Sequence, residues 1–164
     1  MTKKEIFNKV HTYTSEIGIG VYKTDMERPW GGFFVIEEKD ATKFIRHFFP
    51  EINKNDLLEG AKLSPKILLV QPGKKLSWQY HDRRAEIWKL VEGKAAVATS
   101  DTDQEKETRI LNIGDIVKLK QGERHRLIGL DGDWGVVAEI WMHTDPANPS
   151  DEDDIVRLQD DFGR

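Results

Sequence analysis

The chain has no cysteine among its 164 residues, which excludes disulfide staples, thiolate zinc ligands and cysteine nucleophiles together. It also has no basic excess: 25 Lys and Arg stand against 29 Asp and Glu, a formal net charge of −4. Proteins that wrap nucleic acid need a basic stripe to neutralise phosphates, so no nucleic-acid partner is expected. No apolar run reaches the roughly 18 residues that a membrane span needs. The opening Met1-Thr2-Lys3-Lys4-Glu5 leads into mixed polar sequence, without the apolar stretch of a signal peptide. No membrane partner is expected, and the cytoplasm is the default location. Internal repeats and low-complexity linkers are missing as well, which leaves one domain with decorated ends.

Against these absences stand 38% hydrophobic residues, with seven Phe and five Trp, enough to build a core. A domain of this length buries roughly 70% of the surface its unfolded chain exposes and folds without covalent help. A short helix is expected over residues 3 to 10 and a strand over Phe33 to Ile36. A second helix is expected from a cap at Asp40 through Phe48, stopped by Pro50, and a further helical turn over Asn55 to Glu59. From Lys66 onward the texture changes to β-type runs of about five residues separated by turn signals: Ile67 to Gln71, Leu76 to His81, Glu86 to Val91, Lys94 to Thr99, Thr108 to Leu111, Ile116 to Leu119, Arg124 to Ile128 and Trp134 to Met142. With no helices between them, they indicate an antiparallel sandwich or small barrel. Residues 148 to 164 read as an acidic tail, solvated, with a helix starting after Ser150.

Within the strands, Gln79 and His81 lie two apart, so both side chains leave by the same face. Glu86 follows a short turn, and His125 stands behind the turn Lys120-Gln121-Gly122-Glu123. Two imidazoles, a carboxylate and an amide oxygen converging inside a barrel suit one divalent metal ion. The mixed N/O donors without sulfur favour Zn first, with Co, Mn, Ni or Fe as alternatives. Taken alone, each residue has a plainer reading as a surface or hydrogen-bonded core group. Glu139 sits in the apolar run Val136-Val137-Ala138-Glu139-Ile140-Trp141, where a carboxylate is costly unless paired or functional.

The spacing Gly73-x5-Gln79-x-His81-x4-Glu86-x6-Gly93, followed by Gly114-x7-Gly122-x2-His125, resembles the two-part signature of the cupin superfamily. Gln79 stands where many cupins have their first His. The resemblance narrows with Arg28-Pro29-Trp30-Gly31, with Lys66 six residues before Pro72, with Leu76-Ser77-x-Gln79-x-His81-x2-Arg84-Ala85-Glu86-x-Trp88, and with the ending Glu152-Asp153-Asp154-Ile155-Val156-Arg157-x2-Asp160-Asp161-x-Gly163-Arg164. Together these are similar to the type II phosphomannose isomerase (mannose-6-phosphate isomerase) cupin domain over residues 27 to 164, behind an extension of residues 1 to 26. The chain departs from that family at Ile87, where His is usual, and at Trp141, where Gln is common. In many members the domain is fused behind a guanylyltransferase domain. The 26 preceding residues hold no Gly-rich nucleotide loop, so a stand-alone domain without that activity is expected.

The resemblance implies an all-β fold, the cupin double-stranded β-helix or jelly-roll barrel, with short N-terminal helices and a C-terminal tail. It implies interconversion of mannose 6-phosphate and fructose 6-phosphate through an enediolate, with Gln79, His81, Glu86 and His125 holding the metal. Arg84 matches the family arginine linked to isomerase activity, and extended geometry sets it on the same side of the chain as Glu86. Lys66 and Glu139 are the candidates for proton transfer, with a Lys66–Glu139 ion pair as the plainer alternative. Arg28, Arg157 and Arg164 are candidates for binding the phosphate of a small-molecule sugar phosphate, and a homodimer through sheet edges is expected. The alternatives are an isomerase of another phosphorylated sugar such as a heptose, a metal- and sugar-binding cupin without turnover, and a metal-dependent oxygenase.

Overall fold

A computed structural model of the chain describes residues 1–53, 56–57 and 61–164, and among these the β-type runs form two antiparallel sheets. In chain order the strands are β1 (Val21–Asp25), β2 (Gly31–Ile36), β3 (Lys66–Val70), β4 (Trp78–Tyr80), β5 (Arg84–Glu92), β6 (Ala95–Ser100), β7 (Thr108–Leu111), β8 (Ile116–Leu119), β9 (Arg124–Gly129), β10 (Gly135–His143) and β11 (Val156–Gln159). Helix α1 (Lys3–Glu16) precedes them, and α2 (Ala41–Phe48) lies between β2 and β3. One sheet runs β1-β2-β3-β10-β5-β8 and the other β11-β4-β9-β6-β7. The result is the jelly roll expected of a cupin.

The two-residue period of a strand decides what faces the barrel interior. In β3, Leu68 and Val70 join Phe33, Trp88, Leu127 and Val137 in a cluster between the sheets. Ile67 and Leu69 join a second cluster on the opposite face, with Phe7 from α1, Phe44 from α2, and Phe34 and Ile140. Because helices cover that outer face, strands of the six-stranded sheet are apolar on both sides, which is why they read as unbroken runs. Phe34 and Phe44 are 1% and 0% exposed. Burial of each such side chain contributes roughly 1.5–3 kcal/mol. The same parity sends Lys66, Arg84, Glu86, Glu139 and Trp141 inward beside Leu68, Trp88 and Val137.

Several expectations change. Helix α1 extends to Glu16 rather than residue 10, because Thr2 caps it by accepting from the Glu5 amide and its buried face continues through Ile6, Phe7, Val10 and Thr14. Strand β1 had no sequence signal: its central residues are polar and exposed, and it holds its place as an edge by pairing with β2. Asp40 stands at the start of α2 but does not cap it; its carboxylate accepts from the Gly20 amide at 2.8 Å. The turn expected over Asn55 to Glu59 falls largely outside the described residues. No helix follows Ser150. Instead the tail forms β11, which pairs with β4 through Val156–Tyr80 and Arg157–Gln79, completing an edge that would otherwise leave its backbone groups unpaired. No helix among the described residues is long and apolar enough to cross a membrane.

Candidate metal centre

Three strands from both sheets deliver the site. Gln79 on β4 is the register partner of His125 on β9, His81 follows β4 directly, and Glu86 projects from β5 in the facing sheet. His81, Glu86 and His125 are 2–3% exposed, and each offers a donor atom within 4.8 Å of the other two. His81 Nε2 lies 3.6 Å from Glu86 Oε2, and His125 Nε2 lies 3.3 Å from Glu86 Oε1. Two donors each about 2.1 Å from one ion, at angles of about 90–120°, stand about 3.0–3.6 Å apart, so these separations fit a shared cation.

Hydrogen bonding fixes which nitrogen faces inward. His81 Nδ1 donates to the Asp154 carbonyl at 2.7 Å and His125 Nδ1 to the Glu123 carbonyl at 3.0 Å, tautomers assigned from those partners. Each Nε2 is then left with its lone pair toward the centre. His125 Nε2 and Glu86 Oε1 are both buried without a hydrogen-bond partner. Two acceptors facing each other with no donor between them is a costly arrangement that a cation relieves. The donor set therefore fits a divalent metal. Gln79 adjoins it with Nε2 3.4 Å from His81 Nε2, while its Oε1 accepts from Ser77 Oγ at 2.5 Å. Reversing the amide presents the oxygen instead.

Arg84 and Glu86 share one side of β5, as extended geometry requires. Arg84 Nε donates to Glu86 Oε2 at 2.8 Å, and its Nη2 lies 3.2 Å from His81 Nε2. The guanidinium stacks on Trp141, 3.6 Å from the ring centroid. Burial lowers His81 to about 4, leaving it neutral at pH 7. Burial opposes ionisation of Glu86, but His81 and His125 when protonated, together with the permanently charged Arg84 guanidinium that donates to it, outweigh burial and hold the carboxyl well below the usual carboxylate range.

Glu139 behaves in the opposite way. Burial, reinforced by the charge of Glu86, pushes it up to about 7 against the pull of Lys66 and Arg84. Its oxygens accept from the indole N–H groups of Trp88 and Trp141, each at 2.8 Å. Lys66 is the register partner of Glu139, yet the plainer ion pair between them does not form among the described residues. Lys66 instead pairs with Glu152 from the tail, its ammonium lying 4.6 Å from the Phe33 ring and 4.5 Å from Trp141.

A cavity of about 410 Å³ opens from this centre. Its walls bring together Gln79, Glu86, Arg84, Lys66 and Glu139 with Arg28, Arg157 and Arg164 at the rim, so all three rim arginines share one mouth with the acid–base candidates. Arg28 pairs with Asp25 and Arg164 with Asp160, while Arg157 enters no ion pair among the described residues. Sequence reasoning missed Asp154, treating the tail as solvated. Its carboxylate accepts from the amides of Asp82 and Arg83 at 2.9 and 3.0 Å and from Ser150 Oγ at 2.6 Å, so the tail buttresses the His81 loop. The available signal was Ile155-Val156, a β-branched pair inside an acidic stretch.

Comparison with known proteins adds independent findings. A family model described as mannose-6-phosphate isomerase C-terminal matches residues 40–160. The xanthan biosynthesis protein XanB of Xanthomonas campestris is 32% identical over 105 residues, covering 64% of this chain and 21% of that protein. A mannose-1-phosphate guanylyltransferase of Sinorhizobium fredii is 28% identical over 134 residues, covering 82% of this chain and 20% of that protein. The chain thus spans about a fifth of the length of these curated relatives. Among solved structures, the capsular polysaccharide assembling protein CapF from Staphylococcus aureus superposes with a TM-score of 0.53 at 17% identity, over 84% of this chain and 35% of that one, a likeness of fold alone.

Proposed function

Because the chain belongs to the mannose-6-phosphate isomerase C-terminal family of cupin domains, we propose that it is a metal-dependent sugar-phosphate isomerase whose substrate is mannose 6-phosphate and whose product is fructose 6-phosphate. The observation that carries this reading is Glu139. It is a buried carboxyl whose two oxygens are held by the indole N–H groups of Trp88 and Trp141, and it lines the same cavity as Gln79, Glu86 and the arginine rim. In the metal-free chain burial raises this carboxyl toward the range in which a base works at neutral pH.

His81, Glu86 and His125, with Gln79 beside them, would hold one divalent ion, Zn in the first instance. When bound, such an ion supplies Lewis-acid polarisation of a sugar carbonyl. The protein groups do the rest. Glu139 takes the proton from C2 of the aldose and returns it to C1, and the C2 hydroxyl proton passes to the former carbonyl oxygen, so the atoms balance. Trp88 and Trp141 hold both oxygens of Glu139 and so aim the carboxylate. Arg84, stacked on Trp141, is placed to stabilise negative charge developing on the sugar oxygens. Arg28, Arg157 and Arg164 give the mouth the cations a phosphate needs.

A coupled assay with added Zn, Co or Mn tests this: fructose 6-phosphate should form, and EDTA should abolish it. Retention of metal and sugar phosphate without turnover would replace the isomerase with a binding module, and turnover of a different aldose phosphate would change the substrate.

A further inference from the structure

Two cavities meet at Lys66. The one beside the metal centre, about 410 Å³, and a neighbour of about 440 Å³ share Phe33, Lys66, Trp141 and Glu152 in their walls. The Lys66–Glu152 ion pair stands in the wall they share. Its two halves differ in kind: the Lys66 side chain is 7% exposed and lies over two aromatic rings, whereas Glu152 is 54% exposed. A buried ammonium requires an anionic partner. A half-solvated carboxylate gains little from the same contact, because water competes for it. Lys66 is therefore the fixed member and Glu152 the replaceable one. A phosphoryl group brings a charge near −2 and three acceptor oxygens, against one charge and two oxygens for the carboxylate.

We propose that Lys66 is a subsite for the phosphoryl group of the ligand, and that Glu152 is its resident carboxylate, displaced when that group arrives. The inference rests on the isomerase reading only in bringing a phosphorylated ligand to this mouth, and it assigns Lys66 to binding rather than to proton transfer.

Inorganic phosphate is the probe, titrated calorimetrically into EDTA-treated full chain in four forms: wild type, Glu152→Gln, Lys66→Met and the double variant. Glu152→Gln should tighten phosphate by about fivefold, the upper range for loss of an exposed ion-pair competitor, and this gain should vanish in the Lys66→Met background. Equal tightening in both backgrounds would mean that Glu152 acts only by weakening the field of the arginine rim, and would overturn the proposal. Unchanged affinity in Glu152→Gln, or no phosphate binding by that variant, would do the same. Thermal unfolding checks that Lys66→Met folds, with Lys66→Gln as the second variant. Neither metal nor turnover is read, so failure of the isomerase assay and failure of this test are separate results.

Discussion

In metal-free protein, Glu139→Gln should change the pH dependence of folding and not merely its level. Glu139 sits at about 7 when folded, against 4.5 for an ordinary Glu, so between these values the folded chain holds a proton that the unfolded chain has released. Its contribution to stability therefore falls as pH rises through that window, and the full penalty is present above pH 7. The gap of about 2.5 units corresponds to about 3 kcal/mol at 1.36 kcal/mol per unit. His81 acts with the opposite sign. Lowered to about 4 from 6.5, it lets the unfolded chain bind a proton first as pH falls, so its contribution rises with pH across nearly the same interval. The two largely cancel in the wild type, and the variant uncovers the His81 term. Gln has one acceptor oxygen for the two indole donors, so one N–H loses its partner at a pH-independent cost of about 1–3 kcal/mol. Urea unfolding from pH 4.5 to 8 in EDTA reads the difference between variant and wild type, which should move in the variant's favour by about 3 kcal/mol as pH rises. A difference that stays constant over this range would refute the assignment of Glu139 as a carboxyl held protonated by burial.

Removing an imidazole should remove the metal: His81→Ala and His125→Ala, loaded with Zn and desalted, should lose bound metal by elemental analysis, and stoichiometric retention would reject the site. Asp154→Ala leaves every donor in place but loosens the carbonyl that orients His81, so Zn affinity measured by chelator competition should fall ~10–100-fold; an unchanged value would mean that the tail does not aim the ligand. Gly31 has φ 146°, and a Cβ there would stand 1.9 Å from the Leu69 carbonyl oxygen. Gly31→Ala should therefore lower stability by at least about 1–3 kcal/mol, read as a depressed thermal midpoint, and a wild-type midpoint would contradict the backbone geometry.

The chemistry of the centre was legible because its signals are local. Gln79 and His81 announce a shared face by their separation of two, and the same parity puts Arg84 beside Glu86. Glu139 was legible as a charged group in an apolar run, and Lys66 through the family resemblance, six residues before Pro72. Their partners were not legible. Lys66 pairs with Glu152, 86 residues away, and His81 is held by the Asp154 carbonyl, 73 residues away. Trp141 looked like a simple departure from the family, yet it stacks on Arg84 and donates to Glu139. Asp40 looked like a cap and serves Gly20 instead.

What the sequence determined by itself was the period of strands β2 to β10, the donor types and the family resemblance, all properties of a few neighbouring residues. Only the tertiary structure decided which carboxylate neutralises which cation, that the tail becomes β11, and that Glu139 titrates near 7 while Glu86 stays ionised. The physical reason is that desolvation and Coulomb energies depend on distance and on water exclusion. Both are set by strand register across sequence separations that no local pattern encodes.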